Sequence, residues 1–597
     1  DPLVQYCYGA FLQDSNQSEE ANEQAAQLIE GSYSGLFELG YPPNRCFAAA
    51  RRVWQRASGV EGAEEQASEF RGLVREHCLN MILQDEGCND GRILRTHMHQ
   101  FTGGLTLEER GKFYEDALAY EEQSPWLVNM IGGKYHKNAA WDARGSGWAA
   151  DVTDEGWQAF EEHIEQAREC YRRAWEANPS RPEAPAAMIG VAMGSSPSAM
   201  REMRLWFDRA VQAELNHLHA YTSLLNGMLP RWHGDHDAMY QFGVECASTR
   251  RYDTDVPFIL CKAVWRICQD DQNPLGNRYW QRPGLYQQVR TICQGYIDRE
   301  PGPTPYANWW KTVWFGAAYL AGRWDEAREL LDEIEMQLDP DALSRFPING
   351  DEAVGAVRLR TGSHSQAALE ALELANDGSQ PDAMERLAAL IEQEDLHPLV
   401  RRILHSRWQG LRWNTSFVAG EVVDLVPDEE LGAWKETAGN WSVGPDGALH
   451  GVSDKQGVIL ECQASFGSEW ELSGVLEYGK SPYAMWDAGV LLYSGEKPLY
   501  AVMLNPTEGW VAAGRHNSLD ENETAHEFDG KVVSFVVRLQ KGVVNVWIDE
   551  THVIVDQDLP AWNDGRPMRI ALGAAYRWYG SNLKYRELEI RGIDLGE

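Results

Sequence analysis

The sequence predicts a multidomain α plus β protein: an N-terminal all-α helical-repeat solenoid followed by a C-terminal antiparallel β-sandwich. Two observations lead there. Between Ala167 and Thr249 two helical hairpins follow one another with matching landmarks, and from Val418 onward the apolar spacing switches from steps of three and four to strict alternation. The length of 597 residues adds a third, since it exceeds what one hydrophobic core supports. The expected division is 1–410 for the solenoid, 411–417 for a linker and 418–597 for the sandwich.

The helical reading begins at Pro2. Ala21–Phe37, Arg45–Ala57, Glu64–Leu83 and Leu107–Glu121 each place apolar residues on one helical face, with turns at Gly40–Asn44 and Gly87–Gly91. Thr153 caps a helix over Trp157–Asn178, and Asn178-Pro179 stops it, because the residue before proline is pushed out of the helical region. Aligning Ala174 with Ala210 gives a period of 36 residues, close to the roughly 34 of a tetratricopeptide unit, with a small residue where paired helices must approach closely. Further helices fall at Val256–Asp270, in a hairpin over Asn308–Glu335, and at Glu352–Leu374 and Asp382–Gln393. The order Arg144–Gly147, Val152–Trp157, Ala187–Met193, Trp206–Ala210, Leu229–Gly234 resembles a bacterial family of tetratricopeptide-like proteins carried as a domain of unknown function, over roughly residues 120–340. That resemblance implies the fold and assigns no chemistry.

Past Gly410, alternating runs at Gly457–Cys462, Trp470–Glu477, Ala488–Tyr493, Leu499–Leu504, Val532–Leu539, Val543–Asp549 and Met568–Leu572 are separated by Gly, Pro, Asn and Asp. Nine or so strands in this length fit a jelly roll, two antiparallel sheets with one concave face. The order Gly439–Gly451, Phe466 to Leu476, Asp487–Leu492, Asn545–Asp549 and Leu583–Arg591 resembles the concanavalin A-like sandwich shared by laminin-G-like modules and the 3-keto-disaccharide hydrolase family, over Val418–Ile593. The resemblance implies a sugar-facing concave sheet, for binding or for cleavage.

Charge narrows the partners. A net charge of −36 and a pI near 4.8 exclude a nucleic-acid partner, which needs a basic footprint to release counterions. No apolar run reaches the roughly 20 residues of a membrane span. The chain starts at Asp1 rather than Met, in keeping with a removed leader; export to the periplasm, cell surface or medium is the expectation, with a cytoplasmic setting as the alternative. The ten cysteines contain no CxxC, so no metal is expected on cysteine, and Cys78–Cys88 and Cys7–Cys46 are the candidate disulfides, against free buried thiols. The Arg144-Gly-Ser-Gly147 loop lacks the strand and Gly-Lys-Ser/Thr of a phosphate cradle and reads as a tight connection. His217, His219, His233, His236 and Asp237 are spaced for a metal, but Gly234 as a turn and Asp235 as a helix cap account for the second group without an ion. No cofactor or metal is expected.

A retaining glycosidase needs two carboxylates about 5 Å apart on one face. The sandwich stretch holds no Glu-x-Asp-x-x-Glu strand; Glu469 and Glu471 have the two-residue spacing, and the expectation is that no catalytic residue is present. The concave-face candidates are aromatic: Tyr483, Trp486, Tyr493, Tyr500, Trp510, Tyr576, Trp578 and Tyr579, at least half of them expected in the core. Trp486, Asp487, Trp510, Arg515, His516, Trp578 and Tyr579 lie beside turn signals and form the predicted ligand-binding set. The functional expectation is a non-catalytic scaffold, its solenoid holding protein partners and its sandwich facing glycan or a neighbouring subunit, with a place in a larger assembly as a further expectation. A glycoside-cleaving enzyme of the 3-keto-disaccharide hydrolase type is the alternative.

Overall fold

Several helices in this chain begin at short polar side chains that take up the unsatisfied amides of a first turn. Thr153 Oγ1 accepts from the Gly156 amide at 3.1 Å, Asp235 Oδ1 from Ala238 at 2.7 Å, and Thr106 and Glu109 cap each other reciprocally. In this computed structural model the described residues are 1–593 except 15–18, 61, 84–104, 146–151, 195–198, 271–272, 274, 301, 378, 428–430, 445, 454–457, 468, 479–487, 494–497, 506–508, 516–522, 529–531, 559–568 and 574–580. The helices are α1 Pro2–Asp14, α2 Glu19–Glu38, α3 Pro43–Ala57, α4 Glu64–Leu83, α5 Leu107–Leu118, α6 Pro125–Arg144, α7 Asp154–Ala177, α8 Glu183–Met193, α9 Ala199–Ala213, α10 Leu218–Gly227, α11 His236–Ser248, α12 Ile259–Cys268 and α13 Leu285–Arg299. After them come α14 Pro305–Leu320, α15 Trp324–Glu333, α16 Pro340–Leu343, α17 Gly350–Thr361, α18 Ser365–Asn376, α19 Gln380–Ile391 and α20 Pro398–Val418. The chain forms two compact units, Asp1–Ala307 and Asn308–Glu597.

In the first unit successive helices pack as hairpins, α6 on α7, α8 on α9 and α12 on α11. The small residues aligned by the 36-residue spacing, Ala174 and Ala210, are fully buried, and Cys246, another 36 residues on, is buried too. Glycine does the same work inside the longest hairpin: a Cβ on Gly133 would lie 2.6 Å from the Tyr171 ring, so α6 and α7 meet there only because the side chain is absent. Asn178 ends α7 in a non-helical conformation, as the following proline requires. The candidate Cys7–Cys46 disulfide is corrected: both are free thiols, Cys7 exposed and Cys46 buried with its Sγ 3.8 Å from the Tyr41 carbonyl. Cys78 is also a free buried thiol, and Cys88 lies outside the described residues.

The second unit holds α15–α20 and the sandwich. The single helical stretch expected over Glu352–Leu374 is two helices, α17 and α18, divided at Gly362, whose amide donates to the Arg358 carbonyl at 2.8 Å. The stretch expected as a linker, 411–417, is helical, the last two turns of α20. The sandwich strands are β1 Val423–Asp424, β2 Trp434–Ala438, β3 Asn440–Val443, β4 Leu449–Ser453, β5 Ile459–Cys462, β6 Trp470–Tyr478, β7 Ala488–Tyr493 and β8 Pro498–Asn505. They continue as β9 Trp510–Arg515, β10 Glu523–Ala525, β11 Val532–Gln540, β12 Val543–Ile548, β13 Thr551–Asp558, β14 Arg569–Gly573 and β15 Ser581–Gly592. One sheet runs β13-β12-β11-β6-β15-β4-β3 with β1 on β15, the other β10-β9-β8-β7-β14-β5-β2, and every pairing is antiparallel.

Alternation decides which side chains fill the space between the sheets. Trp470, Leu472, Leu476 and Tyr478 of β6 meet Val490, Leu492, Tyr500, Val502, Leu504, Ile570 and Leu572 of the opposite sheet in one apolar core. Two side chains of α20 join it: Trp413 and Phe417 are buried there, Phe417 against Phe466 with ring centroids 5.3 Å apart. Asn414 Nδ2 donates to the Ser465 carbonyl, and a Cβ on Gly410 would lie 3.2 Å from the Gln463 backbone. The last helix is therefore part of the sandwich's packing.

Candidate functional site

Trp510 and Arg515, two of the residues expected on the concave face, fall on β9 of the seven-stranded sheet, which has an outer face turned away from the core. Its side chains are those that alternate with the core: Leu491 and Tyr493 on β7, Ala501 and Met503 on β8, Ala571 on β14, with Ile459 and Trp510 at the margins. All five central residues are buried, so this face is apolar and covered over its middle. Trp510 opens β9, paired to Asn505 and Ala525, and is half-buried against that apolar group. Arg515 ends the same strand, its backbone opposite Tyr500. Trp486, Asp487, His516, Trp578 and Tyr579 lie outside the described residues, as do Tyr483 and Tyr576. Of the other aromatic candidates, Tyr500 is a core residue, and Tyr493 lies on the outer face.

At the β5–β14 side of that face a charged group replaces the aliphatic one. Arg569 Nη1 pairs with the buried Glu461 carboxylate and its guanidinium lies 6.0 Å from the Tyr493 ring centroid. Arg407 of α20 donates to Asn376 Oδ1 at 2.7 Å and to the Ala375 and Gln463 carbonyls at 3.2 and 3.4 Å. Burial and then the charge of Arg569 push the Arg407 guanidinium below its ordinary value. Burial, and then Glu461, pushes the Tyr493 phenol up.

Alternation also builds a row across the outer face of the eight-stranded sheet that the sequence reading did not assemble. Glu471 of β6 takes Arg538 of β11, Nε at 2.7 Å with Nη2 also in contact, and Arg591 Nη2 of β15. Beyond Arg538, its guanidinium 5.0 Å from the ring centroid, stands Trp547 of β12, stacked on His552 of β13 with centroids 4.3 Å apart and planes 10° from parallel. His552 Nε2 meets Asn545 Oδ1 at 2.8 Å. The side chains of Arg538 and Arg591 are 41% and 57% exposed while Glu471 is 10% exposed, so two solvent-facing cations cover one carboxylate. Burial alone would raise the Glu471 carboxyl, but hydrogen bonds from the two arginines outweigh it and hold it below the usual range. Glu469 precedes β6 in a bend, so the pair with catalytic spacing is not two neighbours on one strand face.

The four histidines spaced for a metal are each engaged within the protein. His236 Nε2 meets Asp270 Oδ2 at 2.7 Å, His233 Nε2 meets the Met193 carbonyl at 2.8 Å, and His217 is buried at the start of α10. Among the described residues no three His, Cys, Asp or Glu side chains converge as metal ligands. Among them, too, no helix is long and apolar enough to cross a membrane.

No family model matches this chain, and no curated protein matches it. Solved structures similar to parts of it include a carbohydrate binding module, CBM66 from Bacillus subtilis, at 13% identity and a TM-score of 0.22, covering 27% of this chain and 95% of that one. An alginate lyase, A1-II′ of polysaccharide lyase family 7, gives 13% identity and 0.22, over 27% and 86%. The Crh5 transglycosylase in complex with NAG gives 16% and 0.23, over 29% and 84%. These likenesses assign no activity to the chain.

Proposed function

We propose that this protein is an exported, non-catalytic interaction protein whose helical hairpins are tetratricopeptide-type repeats that hold protein partners, and whose sandwich faces glycan or a neighbouring subunit. One observation carries the reading. The buried carboxylates of the sandwich among the described residues, Glu461 and Glu471, are both tied to arginine, which suits sheet-face cohesion and opposes use as a free general acid. The half-buried Trp510 at the start of β9 supports a ligand face there.

The test sets a glycan array beside thermal melts of the full chain and its Trp510→Ala variant. Loss of more than about 1 kcal/mol of glycan affinity with an unchanged melt supports the reading. A lowered melt with no glycan bound by either protein removes the glycan face from it. Turnover of ordinary or oxidised disaccharides would replace it with the hydrolase alternative.

A further inference from the structure

Four of the five short segments picked out between Arg144 and Gly234 by their order, and given no chemistry, meet at one place in the helical unit. Arg144 closes α6, Trp157 lies in the first turn of α7, and Trp232 lies in the turn between α10 and α11. Trp141 joins them, three residues before Arg144 and so on the same face of α6. The Arg144 guanidinium carbon stands 5.7 Å from the Trp141 ring centroid and 5.5 Å from that of Trp157. Trp141 is in turn edge-on to Trp232, with centroids 5.8 Å apart and planes at 84°. The fourth segment fixes the turn that carries Trp232, because His233 Nε2 meets the Met193 carbonyl at 2.8 Å.

One aromatic side chain of the group belongs to the interior. Phe160 is 2% exposed and lies edge-on to Trp141 at 5.2 Å and to Trp157 at 5.7 Å. Trp141, Trp157 and Trp232 are each only half-buried, and so is Arg144. A single half-exposed tryptophan is ordinary; three linked through one arginine and one buried ring make a surface patch. Packed backbone holds the patch in shape. A Cβ on Gly156 would lie 3.0 Å from the Ala143 carbonyl, so α7 starts in contact with the end of α6, and the Trp232 amide donates to the Leu229 carbonyl at 2.8 Å.

Flat indole faces suit the apolar C–H face of a pyranose ring, and indole and guanidinium N–H groups suit the hydroxyl oxygens at its edge. Charge selects among such ligands. The net −36 of the chain repels a polyanion at long range, and a ligand cation in the patch would meet the like charge of Arg144, so the ligand that fits is neutral. We infer that Trp141, Trp157 and Trp232, with Arg144, form a binding site for a neutral saccharide. The site lies in the helical unit and stands whether or not the sandwich binds glycan.

The test titrates the full chain by calorimetry with neutral malto-, cello- and laminari-oligosaccharides, and with polygalacturonate and an oligoproline peptide as controls. The expected result is saturable binding of a neutral oligosaccharide that survives Trp510→Ala and weakens at least about ten-fold in Trp157→Ala and in Trp232→Ala. Arg144→Gln, a change at the surface, should weaken it too while melting near the parent, which keeps the test open where a tryptophan variant fails to fold. No neutral oligosaccharide bound by the parent, or equal affinity in the parent and the three patch variants, overturns the site. Binding lost in Trp510→Ala alone overturns it as well and leaves the sandwich face standing. Capture of polygalacturonate or of the oligoproline peptide in place of the neutral sugars also overturns it.

Discussion

Trp413, near the end of a helix, meets Trp434, on the first long strand of the sandwich, with ring centroids 6.4 Å apart and planes at 68°. Both rings are buried, and Trp434 Nε1 donates to the Leu425 carbonyl at 2.7 Å. The edge-to-face pair ties α20 into the β core. Trp413→Ala is expected to cost about 3–5 kcal/mol, the range for an emptied aromatic core position, measured by denaturant unfolding. A fragment covering 398–597 should melt well above one covering 418–597; equal melting points would show that the helix adds nothing to the sandwich.

Replacing Glu471 by alanine leaves Arg538 and Arg591 facing each other. The expected loss is about 1–3 kcal/mol, toward the lower end because both arginines reach solvent. The acid dependence has a definite sign. The folded carboxyl titrates below its ordinary 4.5, so its contribution is present above that value and is lost as pH falls through the folded one. Urea unfolding of parent and Glu471→Gln should therefore converge as pH falls through the folded carboxyl's value, which lies below 4.5.

His136 gives the second acid effect. Its folded pKa, about 4 against an ordinary 6.5, means that the unfolded chain takes up the proton first. Stability contributed by the neutral ring is complete above pH 6.5 and declines between 6.5 and 4. Melting curves of a His136→Leu variant should fall less steeply than the parent's over that interval, and parallel curves would remove His136 as the cause.

Gly133 tests the helical packing. Adding even one methyl group puts carbon 2.6 Å from the Tyr171 ring, so Gly133→Ala should destabilise by about 1–3 kcal/mol despite alanine's better helix propensity. The double variant Gly133→Ala with Tyr171→Leu should recover part of that loss, and a strictly additive double variant would show that the two residues do not touch.

Alternation made the long strands readable: β6, β7, β8, β11, β12 and β14 fall within a residue or two of the runs read from sequence. The short ones, β1, β3 and β10, have two to four residues and too little pattern to detect. Helix α20 escaped for a physical reason. Val400, Leu404 and Leu411 pack with the preceding helices, whereas Trp413 and Phe417 turn to the sandwich, so no single apolar stripe runs its length. Gly410 looked like punctuation and is a contact point against the Gln463 backbone. The carboxylate–arginine group was illegible because Arg538 and Arg591 are 67 and 120 residues from Glu471, joined only by strand register. Of the predicted ligand set, Trp510 is the one member whose side chain is among those described, half-buried at the start of β9.

The last strand, β15, does not sit at an edge; it lies between β6 and β4 and also receives β1. His450 and Asn582, 132 residues apart, hydrogen-bond across it at 2.8 Å. The eight-stranded sheet thus has a central gap until residues 581–592 have left the ribosome, and its two halves wait with unpaired backbone edges. The helical region has no such dependence and can form while synthesis continues. A nascent chain stalled before residue 581 should accordingly carry protease-resistant helices and an unprotected sandwich, the state most in need of a holding chaperone.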